Sequence, residues 1–476
     1  MHSGDHASSP AALPPVAKPS TVAQCHAVID NLAQQLAVLP EQVALLQERV
    51  KLDSRNSSKP PSSDSPAAGN RAQRRASERK RGAQKGHPGA FRALVPEAEV
   101  NGVHDCHPVA VCECGAHVAA QGKPLRHQVF DIPPAVVDVQ EYRLYSGVCT
   151  GCGKPHRAVL PSGVPTGQIG PRALALVSVL GTRYHLTQFK IRNVLAEMAG
   201  LDFSVGAISH AHGKVADAMK APVAELARTL HTAPVVHMDE TSYPREGFSS
   251  SWVWAAVQPK LAVFSILPSR ARYVIESIVG AVPQGIVVSD RYAAYAYIDS
   301  SKRQVCWAHL IRDFTRIAQR SGQAGEVGRR LLGLGYLMFR WRDQGRTTAE
   351  QFEPLTRRVH QALQRGIAQT QCTRTANTCA NVLKVWHALW GFISHPGVEP
   401  TNNAAEQALR GIVLKRKISG LTRSKRGDEF VARGFSVHET CRRQGIAMWG
   451  YLHQAVVAWI DRAAHPSLLP AAVPSG

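Results

Sequence analysis

Two short runs rich in β-branched residues, each ending on an aspartate, constrain this chain most. They are Pro-Val-Val-His-Met-Asp at 234–239 and Gly-Ile-Val-Val-Ser-Asp at 285–290. Short apolar runs bounded by turn residues are expected of buried strands, so each aspartate falls where a strand leaves the core. Between the two runs lie Ser-Trp-Val-Trp-Ala-Ala-Val (251–257) and Leu-Ala-Val-Phe-Ser-Ile-Leu (261–267), joined by Gln258-Pro259-Lys260 as in a hairpin. Residues 270–279 follow with helical spacing, and 303–309 (Arg-Gln-Val-Cys-Trp-Ala-His) read as a fifth strand. Three antiparallel strands, a helix and two further strands is the order of a ribonuclease H-like core. In that core the first and fourth strands are neighbours, which would bring Asp239 and Asp290 together at their ends.

A third acid completes the pattern. After a long helical stretch to about His395 comes Glu-Pro-Thr-Asn-Asn-Ala-Ala-Glu, with Thr401 or Asn402 as the expected N-cap. Asn402, Asn403, Glu406 and Arg410 are spaced to share one helical face, and Lys417 continues it. Asp239, Asp290 and Glu406 are therefore the candidate catalytic and metal-binding residues, suited to Mg²⁺ (or Mn²⁺). Such ions take few carboxylates plus water and substrate phosphates, and a pair of them can activate an attacking oxygen and stabilise a leaving one. Taken singly, each acid has a plainer reading as a surface or capping residue.

The charge balance names the substrate class. The chain has 56 Lys+Arg against 35 Asp+Glu, a formal charge of +21, which favours polyanions and nucleic acid first. No apolar run reaches the ~18 residues of a membrane span, and the N-terminus lacks a signal-peptide core, so a cytoplasmic protein without membrane partners is expected.

The remaining segments point the same way. Val22, Cys25, Ile29, Leu32, Leu36, Leu39, Val43, Leu46 and Val50 are spaced alternately three and four, a coiled-coil seam interrupted by Pro40, within an N-terminal segment 1–53. Self-association is expected there; the alternative is a lone amphipathic helix packed on the rest of the protein. Residues 54–92 form a Ser/Pro-rich, basic linker with ten Lys/Arg and two acids. Arg74, Arg75, Arg79, Lys80, Arg81 and Lys85 within it are candidate phosphate contacts, or simply a solvated tether.

Residues 93–165 carry Cys112-Glu-Cys114-Gly and Cys149-Thr-Gly-Cys152-Gly, linked through an alternating run (Val136 to Val148) that reads as a strand. Paired cysteines followed by glycine are zinc half-sites; Cys106, His107 or His117 could substitute as a ligand, and a metal-free β subdomain is the other reading. Residues 166–232 are helical with helix-turn-helix spacing around Gly200 and an N-cap at Ser204. The catalytic segment is 233–460 with a helical insertion at about 310–395, and 461–476 is a tail. Arg410, Lys415, Arg416 and Lys417 are further candidate DNA contacts.

In this order, Ser57 to Asp64 (SSKPPSSD), Gly86-His87-Pro88-Gly89, the cysteine pairs, Met238 to Thr241, Ser289 to Tyr295, Cys306 to Phe314 and Thr401 to Arg410 resemble the IS66 family of bacterial insertion-sequence transposases. The resemblance covers about residues 22–470. It implies a DDE transposase whose triad maps onto Asp239, Asp290 and Glu406, a helical insertion before the last acid, and a zinc-binding segment near 106–155. It further implies DNA cleavage and strand transfer at transposon ends, double-stranded DNA (ends and target) as partner, a homo-oligomer, small accessory proteins of the same element, and a nucleoid-associated location. Two positions depart from the family pattern: the first cysteine pair is CxC rather than CxxC, and Ile311 stands where a basic residue is common. A structure-specific nuclease on the same core and a non-catalytic DNA-binding regulator are the competing readings. The overall expectation is a multidomain α/β protein.

Overall fold

The computed structural model describes residues 93–119, 123–131, 137–247 and 251–470, with six single positions between Thr21 and Leu32. Most of the coiled-coil seam and all six linker residues from Arg74 to Lys85 lie outside the described residues. Of the seam, Val22, Ile29 and Leu32 are helical and exposed.

Four helices open the main body: α1 (Pro171–Thr182), α2 (Gln188–Ala199), α3 (Val205–Ala218) and α4 (Lys220–Leu230). The expected turn is present. Gly200 ends α2 in the left-handed conformation, and Ser204 caps α3 by accepting the Ala207 N–H. Along α3, Ile208, Ala211, His212, Val215 and Ala216 are buried, leaving little beyond its first turns facing outward.

The sheet follows. Strands β3 (Val235–Ser242), β4 (Trp252–Val257) and β5 (Ala262–Leu267) form an antiparallel meander, helix α5 (Arg272–Val279) crosses over, and β6 (Ile286–Ser289) and β7 (Arg303–Val305) complete it. The order is β5-β4-β3-β6-β7, with β6 parallel to both β3 and β7. Thus the fourth strand of the sheet lies beside the first, as its sequence order suggests. Gly285 is required at the start of β6, because a Cβ there would lie 2.0 Å from the Ala233 carbonyl oxygen. The fifth strand is shorter than expected: Cys306 is already the N-cap of helix α6 (Trp307–Ala318).

Helices α7 (Gly322–Asp343), α8 (Ala349–Ala368), α9 (Thr373–Leu383) and α10 (Gly391–Ser394) carry the chain to α11 (Asn403–Ser419), α12 (Lys425–Gln444) and α13 (Met448–Ile460). Residues of α6 to α10 bury their own core around Trp307, Phe314, Phe352 and Leu389. The larger core joins α1–α4, the meander and α11–α13 into one body from Ile169 to Leu468. Helix α12 also covers the sheet edge. Thr440 Oγ1 accepts the Ala262 N–H at 3.1 Å and Ser436 Oγ accepts the Phe264 N–H at 2.9 Å, so two donors of edge strand β5 find partners. No helix among the described residues is long and apolar enough to cross a membrane.

In the cysteine segment, β1 (Ser146–Val148) and β2 (Pro155–Arg157) form a small hairpin. The expected longer strand is absent: residues 137–145 pair with nothing regular, and Val139, Leu144 and Tyr145 are exposed. An alternating run makes a strand when one face is buried, and here there is no core beneath it.

Candidate active site

Register brings the two aspartates together. Val235, Val236 and His237 pair with Ile286, Val287 and Val288 in parallel. Continuing by two residues sets Asp239 beside Asp290 on one sheet face, about one strand spacing (~4.8 Å) apart. Beyond β6 the chain is pinned by Arg303, whose Nη2 donates to the Asp290 carbonyl oxygen at 2.7 Å. The Tyr292 N–H donates to Asp290 Oδ1 at 2.9 Å, orienting the carboxylate.

Glu406 arrives from a different element, and Asn402 fixes it there. The expected capping hydrogen bond is not made; the wholly buried Asn402 side chain serves as a clamp instead. Its Nδ2 donates to the Met238 carbonyl oxygen at 2.7 Å, immediately before Asp239, and its Oδ1 lies 3.3 Å from His237 Nδ1. Its backbone N–H donates to Cys306 Sγ at 3.2 Å. One residue therefore ties the start of α11 to β3 and to the start of α6, and Glu406 follows one turn later.

The three acids do not form a group with ligand oxygens all within 4.8 Å of one another, but they are near enough to act on each other electrostatically. Asp239 holds its proton well above the usual carboxylate range, first through burial and then through the negative charges of Glu240, Glu406 and Asp290. All three acids remain partly exposed, so solvent and a substrate reach them even though protein crowds Asp239. Glu240 points to the opposite face, as strand alternation requires. There Arg270 pairs with it at 2.5 Å, Tyr295 donates to it at 3.0 Å, and Arg270 stacks on Tyr292 at 3.8 Å. Its carboxyl is raised by burial and by Asp290, against the pull of Arg270.

Two residues of α6 flank Glu406. His309 Nδ1 is 3.5 Å and Arg312 Nη2 is 3.7 Å from Glu406 Oε1. Neither approach makes a hydrogen bond to that oxygen, and both His309 Nδ1 and Glu406 Oε1 are buried without a partner. Burial, then Arg312, lowers the His309 pKa, against the pull of Glu406 and Asp290. Trp307 is core, its indole N–H donating to the Leu389 carbonyl oxygen at 2.7 Å. The Asn402 clamp and the Arg312 approach had no distinct sequence signal, since helical spacing does not say which elements meet.

The basic residues divide. Arg410 and Lys417 are exposed on α11, whereas Arg416 donates to Ser242 at the end of β3. Lys415 corrects the sequence reading: it is 7% exposed, and burial lowers its pKa to about 8. Its charge acts on buried His212 and half-buried His185, which places Lys415 inside the fold rather than on an outward phosphate-contacting surface.

The two cysteine pairs each form a turn closed by a left-handed glycine, Gly115 (φ 84°) and Gly153 (φ 71°). Backbone N–H groups of Cys114 and Cys152 point at Cys112 and Cys149 and hold those thiols below their ordinary value. The halves do not meet. Among the described residues, neither pair joins a group of three donors within 4.8 Å, and Cys106, His107 and His117 do not supply the missing ligand. The group that does meet this condition is Cys306, His309 and Glu406.

A mixed sheet thus carries two aspartates at neighbouring strand ends inside a chain of formal charge +21. Residues 166–429 match the family model of the IS66 family transposases, more than half of the chain, and the chain belongs to that family. Residues 12–93 match a second family model, described as a family of unknown function (DUF6444). Over 408 residues the chain is 24% identical to the uncharacterized protein y4hP of Sinorhizobium fredii (strain NBRC 101917 / NGR234), covering 75% of this chain and 72% of that one. Family membership supports a transposase role.

Proposed function

We propose that this chain cleaves DNA at the ends of an IS66-type element and joins the freed 3′ ends to target DNA, with Asp239, Asp290 and Glu406 as its catalytic carboxylates. The observation that carries the reading is the parallel register of β3 and β6, which aligns the two aspartates, together with the Asn402 clamp that delivers Glu406. The order β5-β4-β3-β6-β7 supports reading the sheet as a ribonuclease H-like core, with α6 to α10 as the helical insertion before the third acid.

The donors fit a hard divalent cation, Mg²⁺ or Mn²⁺. Glu406 Oε1 is buried without a hydrogen-bond donor, and Asp239 is held against three like charges, so a cation among them would relieve both. When bound, it supplies activation of an attacking oxygen and charge stabilisation at the leaving one. The protein's own residues do the positioning. Tyr292 and Arg303 hold Asp290 and its backbone, Asn402 fixes Glu406 against β3, and exposed Arg410 and Lys417 lie along the same helix to meet phosphates. The same reading expects a structural Zn²⁺ in the cysteine segment, with Cys112, Cys114, Cys149 and Cys152 as the residues that would hold it.

The decisive test is Asp290→Asn with pre-cleaved element ends and target plasmid. Joining and Mg²⁺-dependent nicking should both be lost while binding to end DNA is retained. Undiminished strand transfer by this variant rules the assignment out. A wild-type chain that nicks but never joins is a nuclease instead.

A further inference from the structure

We infer that Cys306, His309 and Glu406 form a second metal site, selective for a soft or borderline ion such as Zn²⁺, which shares Glu406 with the carboxylate centre. One ligand atom from each lies within 4.8 Å of the other two. Cys306 is the N-cap of α6 and His309 lies three residues on, so a single helical turn presents a Cys-x-x-His half-site toward the first turn of α11. Thiolate with imidazole selects Zn²⁺ over Mg²⁺, which prefers oxygen alone.

The surroundings suit a metal thiolate. Cys306 Sγ accepts the Asn402 N–H at 3.2 Å, a donor that would stabilise bound sulfur. His309 Nδ1 and Glu406 Oε1 are buried without a hydrogen bond, 3.5 Å from each other and with Arg312 Nη2 at 3.7 Å from the carboxylate, leaving a ligand position on each. Cys306 is fully buried, so its thiol is shielded from bulk oxidants. On binding, the thiol proton is released to solvent, and Cys306 Sγ, His309 and Glu406 each give a lone pair to the ion. No redox change is involved.

The consequence is competition. An ion held by Cys306 and His309 engages Glu406 and withdraws it from Asp239 and Asp290, so Zn²⁺ should inhibit Mg²⁺-dependent chemistry. This consequence rests on the function proposed above; the metal site itself does not.

The full chain is tested by equilibrium dialysis against micromolar Zn²⁺, alongside Cys306→Ser, His309→Ala and a variant with Cys112, Cys114, Cys149 and Cys152 all changed to Ser. Each single variant should hold about one zinc fewer than the parent, and the quadruple variant should keep that zinc. With Co²⁺ as probe, the quadruple variant should retain a thiolate-to-metal charge-transfer band that disappears when Cys306→Ser is added. Unchanged zinc counts in both single variants, or a quadruple variant without the band, overturn the site. In nicking assays, the Zn²⁺ concentration for half inhibition should rise about tenfold or more in Cys306→Ser. If nicking is absent altogether, the proposed function fails while the zinc counts still decide this site.

Discussion

Replacing Asp239 by Asn removes one negative charge from the carboxylate group at almost constant shape. In the metal-free protein, Asp239 is raised by burial and then by Glu240, Glu406 and Asp290. Two unit charges about 5 Å apart, as adjacent strands set them, repel by about 3 kcal/mol at an effective dielectric constant of about 20. Partial exposure of Asp239 and Asp290 weakens this, so Asp239→Asn should be more stable than the parent by about 1–3 kcal/mol in EDTA at about pH 8. The pH dependence has a definite sign. The folded chain binds the Asp239 proton more tightly than the unfolded chain, whose carboxyl titrates near 3.8. That stabilisation is complete below 3.8 and is lost as pH rises through the raised folded value. The advantage of the variant should therefore shrink as pH falls toward the unfolded value. Magnesium reverses the ranking: at a hundred times its Kd, a ligand of the folded state adds about 2.7 kcal/mol, and the variant should gain far less. Urea midpoints in EDTA and in Mg²⁺, at about pH 5 and about pH 8, measure all of this. A variant no more stable than the parent in EDTA at the higher pH refutes the electrostatic argument. Equal stabilisation of both proteins by Mg²⁺ refutes the metal assignment.

Three further outcomes are expected. Asn402→Ala leaves the Met238 carbonyl oxygen without its 2.7 Å donor, which should cost about 1–3 kcal/mol and reduce strand transfer at least about tenfold with DNA affinity unchanged; wild-type activity in a folded variant defeats the clamp argument. Lys415→Met should stabilise the protein by about 2–3 kcal/mol at about pH 7, since the lysine is buried and its pKa falls from 10.5 to about 8. Because the folded value is the lower one, the cost is fully present below about 8 and fades as pH rises toward 10.5, so the gain should fade likewise. End-DNA affinity should stay at the parental level in Lys415→Met and fall in Arg410→Ala and Lys417→Ala, as filter binding at fixed salt would show; a loss of affinity in Lys415→Met restores it to the DNA-contacting surface.

How far the sequence could be read depended on the kind of information each feature carries. The strands of the meander and β6 were legible because their apolar runs are local and end at turn residues, and strand order then put Asp239 near Asp290. The α2–α3 turn was legible for the same reason, through Gly200 and Ser204. Lys415 was read as part of a basic surface beyond the face of Asn402, Glu406, Arg410 and Lys417, and only the folded chain shows it buried within reach of His212 and His185. The alternating run before Cys149 failed for the opposite reason, having the pattern of a strand and no second layer to bury it. Asn402 and Cys306 were the least legible, because their roles depend on contacts spanning 164 and 96 residues. Asn402, expected with Thr401 as a candidate cap, holds the N-cap position, but its side chain donates to β3 instead of to its own helix. That exchange couples the folding of α11 onto the sheet to the assembly of the site, so the third acid should take its place only once the strand and the helical insertion between them are already packed.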